Sequence, residues 1–249
     1  MSVKPRPAVT ACRKCPLRRI DIFENKNSDQ VDFIQTFKSG EIAVARGGTL
    51  YAEGGAPHDL YTVLSGWAFR YKSLADGRRQ ICNFALPGDF MGLQSSLTGR
   101  MEHGAEALTD LRLCVFPRQK LFSLYVAHPS LGFDLTWLAA REERFLDDNL
   151  LAVGRRTALE KTAYLIWHLY SRARELGLVA DDRLDLPLTQ QHFADTLGLS
   201  LVHLNRSLRR LRATGLITLE GRVITMRDEK ALARLAGVAV SRRELRPLI

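Results

Sequence analysis

The sequence has few cysteines and no long apolar run, and each absence excludes a class of protein. Its 249 residues include only four cysteines, too few for a disulfide scaffold. No stretch approaches the eighteen or so consecutive apolar residues of a transmembrane helix, so we expect no membrane span. The first ten residues lack the apolar segment of a secretory signal, which predicts a cytoplasmic location. Since we find no nucleophile–base pairing, phosphate loop or His–Glu metal spacing, we do not expect an enzyme.

Acidic residues are scarce at both ends of the chain. The formal net charge is +9. Residues 1–20 hold six Lys or Arg and no acid, and the residues from Leu188 onward hold eleven Lys or Arg against five acids. The middle of the chain is nearly neutral. A basic excess of this size favours a polyanionic partner.

Glycine punctuates the first half of the chain and indicates β-structure there. Between residues 31 and 117, short apolar runs such as residues 60–64 and 80–84 alternate with glycine turns. Strands at roughly ten-residue spacing predict an antiparallel barrel or sandwich. The preceding residues, 1–28, are proline-rich and charged, and we interpret them as a mobile arm.

After Pro129 the apolar period becomes helical. One stripe with spacings of four and three runs along a long helix and carries the candidate dimerisation residues, which are Leu131, Leu135, Leu138, Phe145 and Asn149. Ala152 continues the stripe. Such a stripe suits a parallel dimer, in which Asn149 would fix the register. The alternative is that the stripe packs only against the chain's own β-domain.

The last third of the chain predicts a helix-turn-helix. Residues 190–197 and 201–213 have the pattern of two helices joined by a short turn. Ala194, Gly198 and Leu204 supply the small residue, the turn glycine and the apolar anchor that two closely crossing helices require. This spacing, combined with the basic charge, predicts that the module binds double-stranded DNA.

The polar face of this module supplies candidate DNA contacts. Thr189 and Ser200 are predicted N-caps, although His192 stands where Glu or Gln would complete a capping box, so we expect only half of that box. Arg, Asn and His are side chains that contact bases or phosphates. The candidate residues are Thr189, Gln190, Ser200, Val202, His203, Asn205, Arg206 and Arg209. The alternative is an ordinary basic, solvated helix face.

A hairpin is predicted directly after the second helix. Residues 216–226 form two short apolar runs around a Glu-Gly-Arg turn, which is typical of a wing beside a helix-turn-helix. Arg222 at its tip would contact a phosphate.

These residues resemble the Crp/Fnr superfamily of bacterial transcription regulators. Residues 188–211, with Gly215-Leu-Ile following, look like its winged helix. Residues 60–66, 76–78 and 86–92 look like its cyclic-nucleotide-type β-roll. The resemblance covers about residues 30–235. It implies a homodimer on a palindromic operator, an effector-sensing roll, a long dimer helix and a contact with RNA polymerase.

Together these observations predict an α+β fold with five segments. They are a basic arm with Cys-x-x-Cys (1–28), a jelly-roll-like antiparallel β-roll (29–129), a dimerisation helix (130–154), a winged helix-turn-helix domain (155–240) and a tail (241–249). The function predicted is sequence-specific regulation of transcription. The alternative is a redox or metal sensor that uses the N-terminal cysteine pair.

The candidate effector pocket departs from the pattern of cAMP-binding relatives. The resemblance implies that those relatives carry a Glu for the ribose and an Arg-Ser pair for the cyclic phosphate. Here Leu93 and Gln94 follow Gly92, and His103 and Gly104 replace the Arg-Ser pair. A buried cyclic phosphate needs a fixed cation and hydrogen-bond donors. We therefore predict that cAMP is not the effector.

The head of the second helix departs as well. Such regulators often carry an Arg-Glu pair there, whereas this chain has the apolar pair Leu201-Val202. Base reading is therefore expected to rest on His203 and Arg206, with Val202 against a thymine methyl.

The cofactor is left open by the sequence. Cys12 and Cys15 resemble part of the cysteine cluster with which oxygen-sensing members hold a [4Fe–4S] cluster, but a cluster needs four thiolates and the arm has two. The pair could instead hold zinc, form a redox disulfide or have no role; its basic neighbours are expected to lower a thiol pKa. Cys82 and Cys114 are expected to be inert buried thiols. Haem is a further option, although His58, His103 and His128 show no pairing.

Overall fold

The computed structural model of the chain describes residues 9–56, 58–238 and 244–249. Its contacts divide the chain into two compact units. The roll unit comprises residues up to 74, residues 83–143 and residues 245–249. The helix-turn-helix unit comprises residues 75–82 and 144–244. Within the described residues, no helix is both long and apolar enough to cross a membrane.

Two four-stranded antiparallel sheets form the β-roll. The strands are β1 (Gly40–Val44), β2 (Thr49–Tyr51), β3 (Leu60–Ser65), β4 (Ala68–Ser73), β5 (Arg79–Ala85), β6 (Phe90–Met91), β7 (Gly104–Ala107) and β8 (Leu111–Phe116). One sheet has the order β1-β8-β3-β6 and the other has the order β2-β7-β4-β5. Their apolar side chains form one core that includes Val63, Met101 and Leu113, all of them fully buried.

Glycine is required at the tight turn between β3 and β4. Gly66 has a φ of +89°, a left-handed conformation that side chains with a Cβ rarely adopt. A Cβ at this position would also lie 2.2 Å from the Asp110 carbonyl oxygen. The roll therefore depends on glycine here both for the backbone angle and for the space.

The arm and the start of the roll differ from the sequence prediction. Residues 28–37 form a helix, α1 (Ser28–Phe37), rather than the start of a strand, because Asn27 and Gln30 close a complete capping box. The described part of the arm contains two 3₁₀ turns, Cys12–Lys14 and Pro16–Arg19. Its apolar side chains, Leu17, Ile22 and Phe23, are buried. The arm is therefore packed on the roll rather than free.

Three more helices complete this half of the chain. They are α2 (Leu93–Thr98), α3 (Leu121–Ala127) and α4 (Pro129–Arg155). Helix α3 packs closely against α4, since a Cβ on Gly132 would lie 2.5 Å from the Tyr125 ring.

The apolar stripe predicted to mediate dimerisation is buried within a single chain. Leu131, Leu135, Leu138 and Phe145 are all less than a tenth exposed. The Asn149 side-chain amide donates a hydrogen bond to the Cys82 carbonyl at 2.8 Å, so it has a partner within its own chain. These residues therefore have partners within one chain, although Phe145 contacts the His168 ring of the helix-turn-helix unit rather than the β-domain.

The helix-turn-helix unit has four helices besides its part of α4 and a three-stranded sheet. The elements are α5 (Ala158–Glu175), β9 (Arg183–Asp185), α6 (Gln190–Leu197), α7 (Leu201–Ala213), β10 (Ile217–Glu220), β11 (Val223–Met226) and α8 (Glu229–Leu235). Its sheet has the order β10-β11-β9. Strand β9 thus covers one edge of the wing hairpin formed by β10 and β11.

Candidate DNA-binding surface and sensor pockets

The first turns of α7 present the residues predicted to read base edges. Ser200 caps the helix by accepting a hydrogen bond from the His203 backbone N–H at 3.3 Å. Val202, His203 and Arg206 are exposed, whereas Asn205 is half-buried. An apolar side chain, an imidazole and a guanidinium at the open end of a helix suit the major groove.

The opposite face of α7 is buried and fixes the direction of the reading face. Leu204, Leu208 and Leu211 are each at most a twentieth exposed. Gly198 ends α6 in the left-handed conformation, with a φ of +60°, and so allows the sharp turn into α7. The reading face is therefore presented by a packed scaffold rather than by a loop.

The N-terminus of α6 is capped more completely than the sequence suggested. The Thr189 hydroxyl accepts from the His192 backbone N–H at 3.3 Å, and His192 Nδ1 accepts from the Thr189 backbone N–H at 3.1 Å. The prediction of half a capping box was wrong, because a neutral imidazole can accept the second bond as a Glu carboxylate would. Thr189 and Gln190 are exposed at this helix end, where the helix dipole favours a phosphate.

Arg222 lies at the tip of the wing but has a partner within the chain. Its guanidinium lies 3.4 Å from a carboxylate oxygen of Asp185 on β9, and both side chains are about half exposed. Exposed pairs of this kind contribute little to stability, so Asp185 can be exchanged for a DNA phosphate.

The candidate effector pocket of the roll is filled by the chain's own polar side chains. His103 Nδ1 donates to Gln94 Oε1 at 2.9 Å, and the Tyr51 hydroxyl lies 3.2 Å from His103 Nε2. Gly104 packs against Tyr71, because a Cβ at Gly104 would lie 2.5 Å from that ring. Both nitrogens of His103 are therefore engaged, and neither is available to a haem iron. The sequence identified Gln94, His103 and Gly104 but gave no signal for the two tyrosines.

The cation nearest to this pocket is neutralised. Arg70 on β4 forms an ion pair with Glu142 on α4, and the Asn83 side-chain amide donates to both carboxylate oxygens of Glu142, at 3.1 and 3.0 Å. Leu93 and Gly92 begin α2, and a Cβ at Gly92 would lie 2.7 Å from the Asp59 carbonyl. The pocket therefore offers an incoming phosphate neither space at Gly104 nor an uncommitted Arg70.

His103 makes the stability of the roll unit sensitive to acid. Burial, helped by the charges of Arg70 and Lys72, lowers its pKa to about 3. The unfolded chain would bind this proton below about pH 6.5, so the stabilisation is complete above that pH and is lost as the pH falls toward 3. We expect His103→Gln to reduce the slope of unfolding free energy against pH by up to about 1.4 kcal/mol per pH unit. Urea titrations between these pH values measure the slope, with the exposed His58→Gln as the control; equal slopes in both variants would contradict the assignment.

A second pocket in the roll unit brings three of the four cysteines together. Its cavity volume is about 40 Å³, and Cys12 and Cys15 of the arm, Cys114 of β8 and the side chains of Leu248 and Ile249 line it. We call it the thiol pocket. The sequence predicted Cys114 as an isolated inert thiol; only the packing of the arm against β8 brings it to the other two.

A buried ion pair forms one side of the thiol pocket. Lys38 Nζ lies 2.7 Å from Glu41 Oε1, and Arg112 approaches the other carboxylate oxygen at 2.7 Å. Thr10 joins the arm to this pair, since its N–H donates to Glu41 at 2.7 Å and its carbonyl accepts from Lys38 at 2.8 Å. Burial opposes the charge on Lys38, but its hydrogen bond to Glu41 prevails and raises its pKa. The ammonium therefore stays charged.

Burial keeps the Cys12 and Cys114 thiols of this pocket protonated rather than activated. Burial raises the pKa of Cys12 despite the opposing charges of Lys38 and Arg18. Burial likewise raises the pKa of Cys114 to about 11. The expectation that basic neighbours would lower a thiol pKa is therefore wrong for Cys12; of those neighbours, Arg13 is paired with Asp32.

The three thiols do not fit a [4Fe–4S] cluster as they are arranged. Such a cluster needs four thiolate ligands, and the pocket has three thiols. Across residues 9–56, 58–238 and 244–249, no three His, Cys, Asp or Glu side chains are grouped closely enough to hold a metal ion.

Comparison with known proteins identifies the family. The family model "Cyclic nucleotide-binding domain" matches residues 41–128, and the model "Crp-like helix-turn-helix domain" matches residues 160–235. The nitrogen fixation regulation protein FixK of Bradyrhizobium diazoefficiens is 33% identical over 232 residues, which cover 90% of this chain and 93% of FixK. The chain belongs to the Crp/Fnr family of transcription regulators. A second Crp/Fnr relative, the transcriptional activator protein FnrL of Cereibacter sphaeroides, is 30% identical over 91% of this chain and 92% of its own length.

The fold is that of solved Crp/Fnr structures. The structure of FixK2 from Bradyrhizobium japonicum matches with a TM-score of 0.72 and 30% identity, and covers 81% of this chain and 98% of FixK2. As a Crp/Fnr regulator, the protein binds DNA to control transcription and is not an enzyme.

Proposed function

We propose that the protein binds a palindromic operator as a homodimer and reads each half-site with the start of α7. The observation that supports this most directly is the exposed set of Val202, His203 and Arg206 on a helix whose other face is fully packed. Thr189, Gln190, Ser200, Arg209 and Arg222 would contact phosphates, which fix register without reading sequence. Such a regulator acts in the cytoplasm and contacts RNA polymerase.

Selection from random DNA tests this proposal. We expect the protein to enrich an inverted repeat whose half-sites lie about one helical turn apart, centre to centre. Binding to the selected operator should survive excess competitor DNA and weaken steeply with salt. Enrichment of no sequence over the starting pool would refute specific recognition.

We further propose that the dimer forms through a stripe on α4 one residue beyond the predicted one. Ala139, Glu143, Leu146 and Leu150 are exposed and Val153 is half-buried, at the same spacings of four and three residues. A shift of one residue rotates a helical stripe by about 100°. Leu150 is 73% exposed, which a single chain does not explain. This stripe replaces the buried one as the coiled-coil seam.

The effector of the roll is not cAMP, in our proposal, because Tyr51, Tyr71 and His103 fill the nucleotide pocket. We expect titration calorimetry with cAMP to give no binding at low micromolar concentration. The cAMP-independent affinity for the selected operator is the control that the protein is active. A saturable heat at these concentrations would overturn the assignment.

The thiol pocket supports a second candidate for the signal. Cys12, Cys15 and Cys114 line one cavity, so a reagent that reaches it meets three thiols. Sensing would then depend on access to the pocket rather than on an activated thiolate, since burial raises the pKa of both Cys12 and Cys114. Metal analysis and an absorption spectrum of anaerobically purified protein separate a metal or cluster from free thiols.

A further inference from the structure

The last described residues of the chain belong to the roll unit, although the residues before them belong to the helix-turn-helix unit. Residues 144–244 belong to the helix-turn-helix unit, and residues 245–249 belong to the roll unit. The chain passes between the units four times: after Leu74, after Cys82, after Glu143 and before Leu245. We call residues 245–249 the return segment.

The return segment is held by a buried arginine. The Arg246 guanidinium donates to Asp89 at 2.9 Å and to the Pro87 carbonyl at 2.7 Å, and the residue is only 3% exposed. Its guanidinium also lies 4.5 Å from the centre of the Phe23 ring. A Cβ at Gly88 would lie 2.7 Å from this guanidinium, so the turn is shaped around it. Charge-assisted bonds of this kind in a buried site are strong and specific in geometry.

Backbone hydrogen bonds add to this attachment. The Arg246 N–H donates to the Ile22 carbonyl at 2.9 Å, and the Glu24 N–H donates to the Arg246 carbonyl at 2.9 Å. The segment therefore pairs with the arm as a short parallel bridge.

One carboxylate holds the chain near the last two passages between the units. Asp89 Oδ1 accepts from Arg246 of the return segment at 2.9 Å and from Arg141 of α4 at 3.3 Å. Its other oxygen accepts from the Leu86 backbone N–H at 2.7 Å, which fixes its position. Arg141 lies three residues before Arg144, where the helix-turn-helix unit begins. The last two of the four connections to that unit are thus anchored within the roll unit at Asp89.

The end of the return segment closes the thiol pocket. Leu248 and Ile249 line the pocket beside Cys15 and Cys114, and both are less than a tenth exposed. The Thr62 hydroxyl donates to the Ile249 carbonyl and so attaches the segment to β3. The attached segment therefore covers the buried Cys114, whereas Cys12 and Cys15 remain partly exposed.

We propose that the return segment is a latch: its docking, centred on Arg246 and Asp89, covers Cys114 in the thiol pocket and fixes the point at which the chain returns from the DNA-binding unit. Opening of the pocket releases one of the two anchored connections. Occupation of the pocket and undocking of the return segment are coupled. A reagent that binds in the pocket therefore favours the undocked segment, and an undocked segment makes the pocket more accessible. The latch deepens the sensing role proposed for the thiol pocket.

Thiol alkylation tests closure of the pocket without involving DNA. We expect Leu248→Ser and Arg246→Gln to raise the rate at which N-ethylmaleimide modifies the buried Cys114 by about tenfold or more, because local opening limits the reaction at that thiol. Leu245→Ser, at an exposed position in the same segment, is the matched control, and Cys82 outside the pocket is the internal reference. Site-resolved mass spectrometry reads each cysteine. Equal rates in Leu248→Ser and Leu245→Ser would overturn the latch.

Hydrogen exchange distinguishes local release of the return segment from global destabilisation of the roll unit by a substitution. In a latch, Arg246→Gln increases exchange at residues 22–24 and 245–249 first, while the β3–β8 amides stay protected. Arg246→Lys, which keeps the charge, should restore part of the protection. Uniform loss of protection across the roll would show that Arg246 serves only global stability and would refute the latch.

Operator affinity tests the connection to the DNA-binding unit. This measurement rests on the proposed operator binding, whereas the alkylation measurement does not. A freed return segment gives the chain extra conformational freedom, which is lost when both half-sites are bound. We therefore expect Arg246→Gln to weaken binding to an operator with two half-sites by about three- to tenfold. Binding to a single half-site should be unchanged. Faster alkylation with unchanged operator affinity would confine the latch to the pocket and overturn its link to DNA. Absence of any operator preference in the unmodified protein would instead refute the proposed function.

Discussion

Replacing Leu150 with glutamate is expected to turn the dimer into a monomer while the fold of each chain persists. The side chain is 73% exposed in the single chain, so the change costs little stability within it. In a symmetric coiled coil two leucines lose their burial, at about 1.5–2 kcal/mol each. The dimer dissociation constant should therefore rise by about 100- to 1,000-fold. Sedimentation equilibrium measures it, and operator affinity should fall with it.

Two further variants make this prediction specific to the exposed stripe. Leu74→Glu places the same charge at another exposed leucine, outside α4, and should leave the dimer unchanged. Glu143 lies on the stripe, where it faces its own copy across a parallel seam. Glu143→Leu should therefore strengthen the dimer, because it replaces two like charges with apolar contact. If Leu150→Glu remained dimeric, the seam would lie elsewhere.

Replacing Arg206 with alanine is expected to weaken operator binding and to relax the sequence preference at one base pair of each half-site. The guanidinium is exposed two turns into α7, where it suits the two acceptors of a guanine edge. The expected loss is about 1–3 kcal/mol at the preferred base and less at the others. Competition binding against operators substituted at single positions measures both effects.

Arg212→Ala is the matched control for this change. It removes the same charge from an exposed position in the last turn of the same helix, beyond the reading face. We expect a small, uniform loss for every operator, since only a phosphate contact is at stake. An Arg206→Ala protein with unchanged operator affinity would remove Arg206 from base recognition.

The helix-turn-helix could be predicted from the sequence because its signals are local. The helices begin and end at the predicted residues, 190–197 and 201–213. Ser200 and Thr189 cap them, and Gly198 takes the left-handed turn that an alanine or leucine would resist. Each of these features depends on a few neighbouring residues.

The apolar stripe of α4 shows that helical periodicity alone does not indicate whether an apolar face packs within its own chain or against a partner. A helix of 27 residues can carry one apolar face toward its own chain and another toward a partner. The sequence identified the stripe that includes Leu131 and Leu135 as the dimer face, but both residues are fully buried in one chain. The exposed stripe through Leu146 and Leu150 is weaker in sequence, because Glu143 and Ala139 interrupt it. Only burial distinguishes the two faces.

The two roll pockets depend on contacts that are distant in sequence. His103 meets Tyr51 across 52 positions, and Arg246 meets Asp89 across 157. No local pattern marks Tyr51 as a partner of His103 or Cys114 as a neighbour of the arm. The sequence therefore led to the prediction that cAMP does not bind, from residues that are missing, but it gave no signal for the contact between His103 and Tyr51.

The return segment also orders events during synthesis of the protein. The roll unit needs residues 245–249, which leave the ribosome only after residues 144–244 have emerged. At roughly 5–20 residues per second, these hundred or so residues take about 5–20 s to make. Throughout that interval Asp89 has no Arg246, and the cavity beside Cys12, Cys15 and Cys114 lacks the wall that Leu248 and Ile249 provide. Burial of Cys114, which is 8% exposed in the folded chain, is therefore completed only after residues 248–249 have been made.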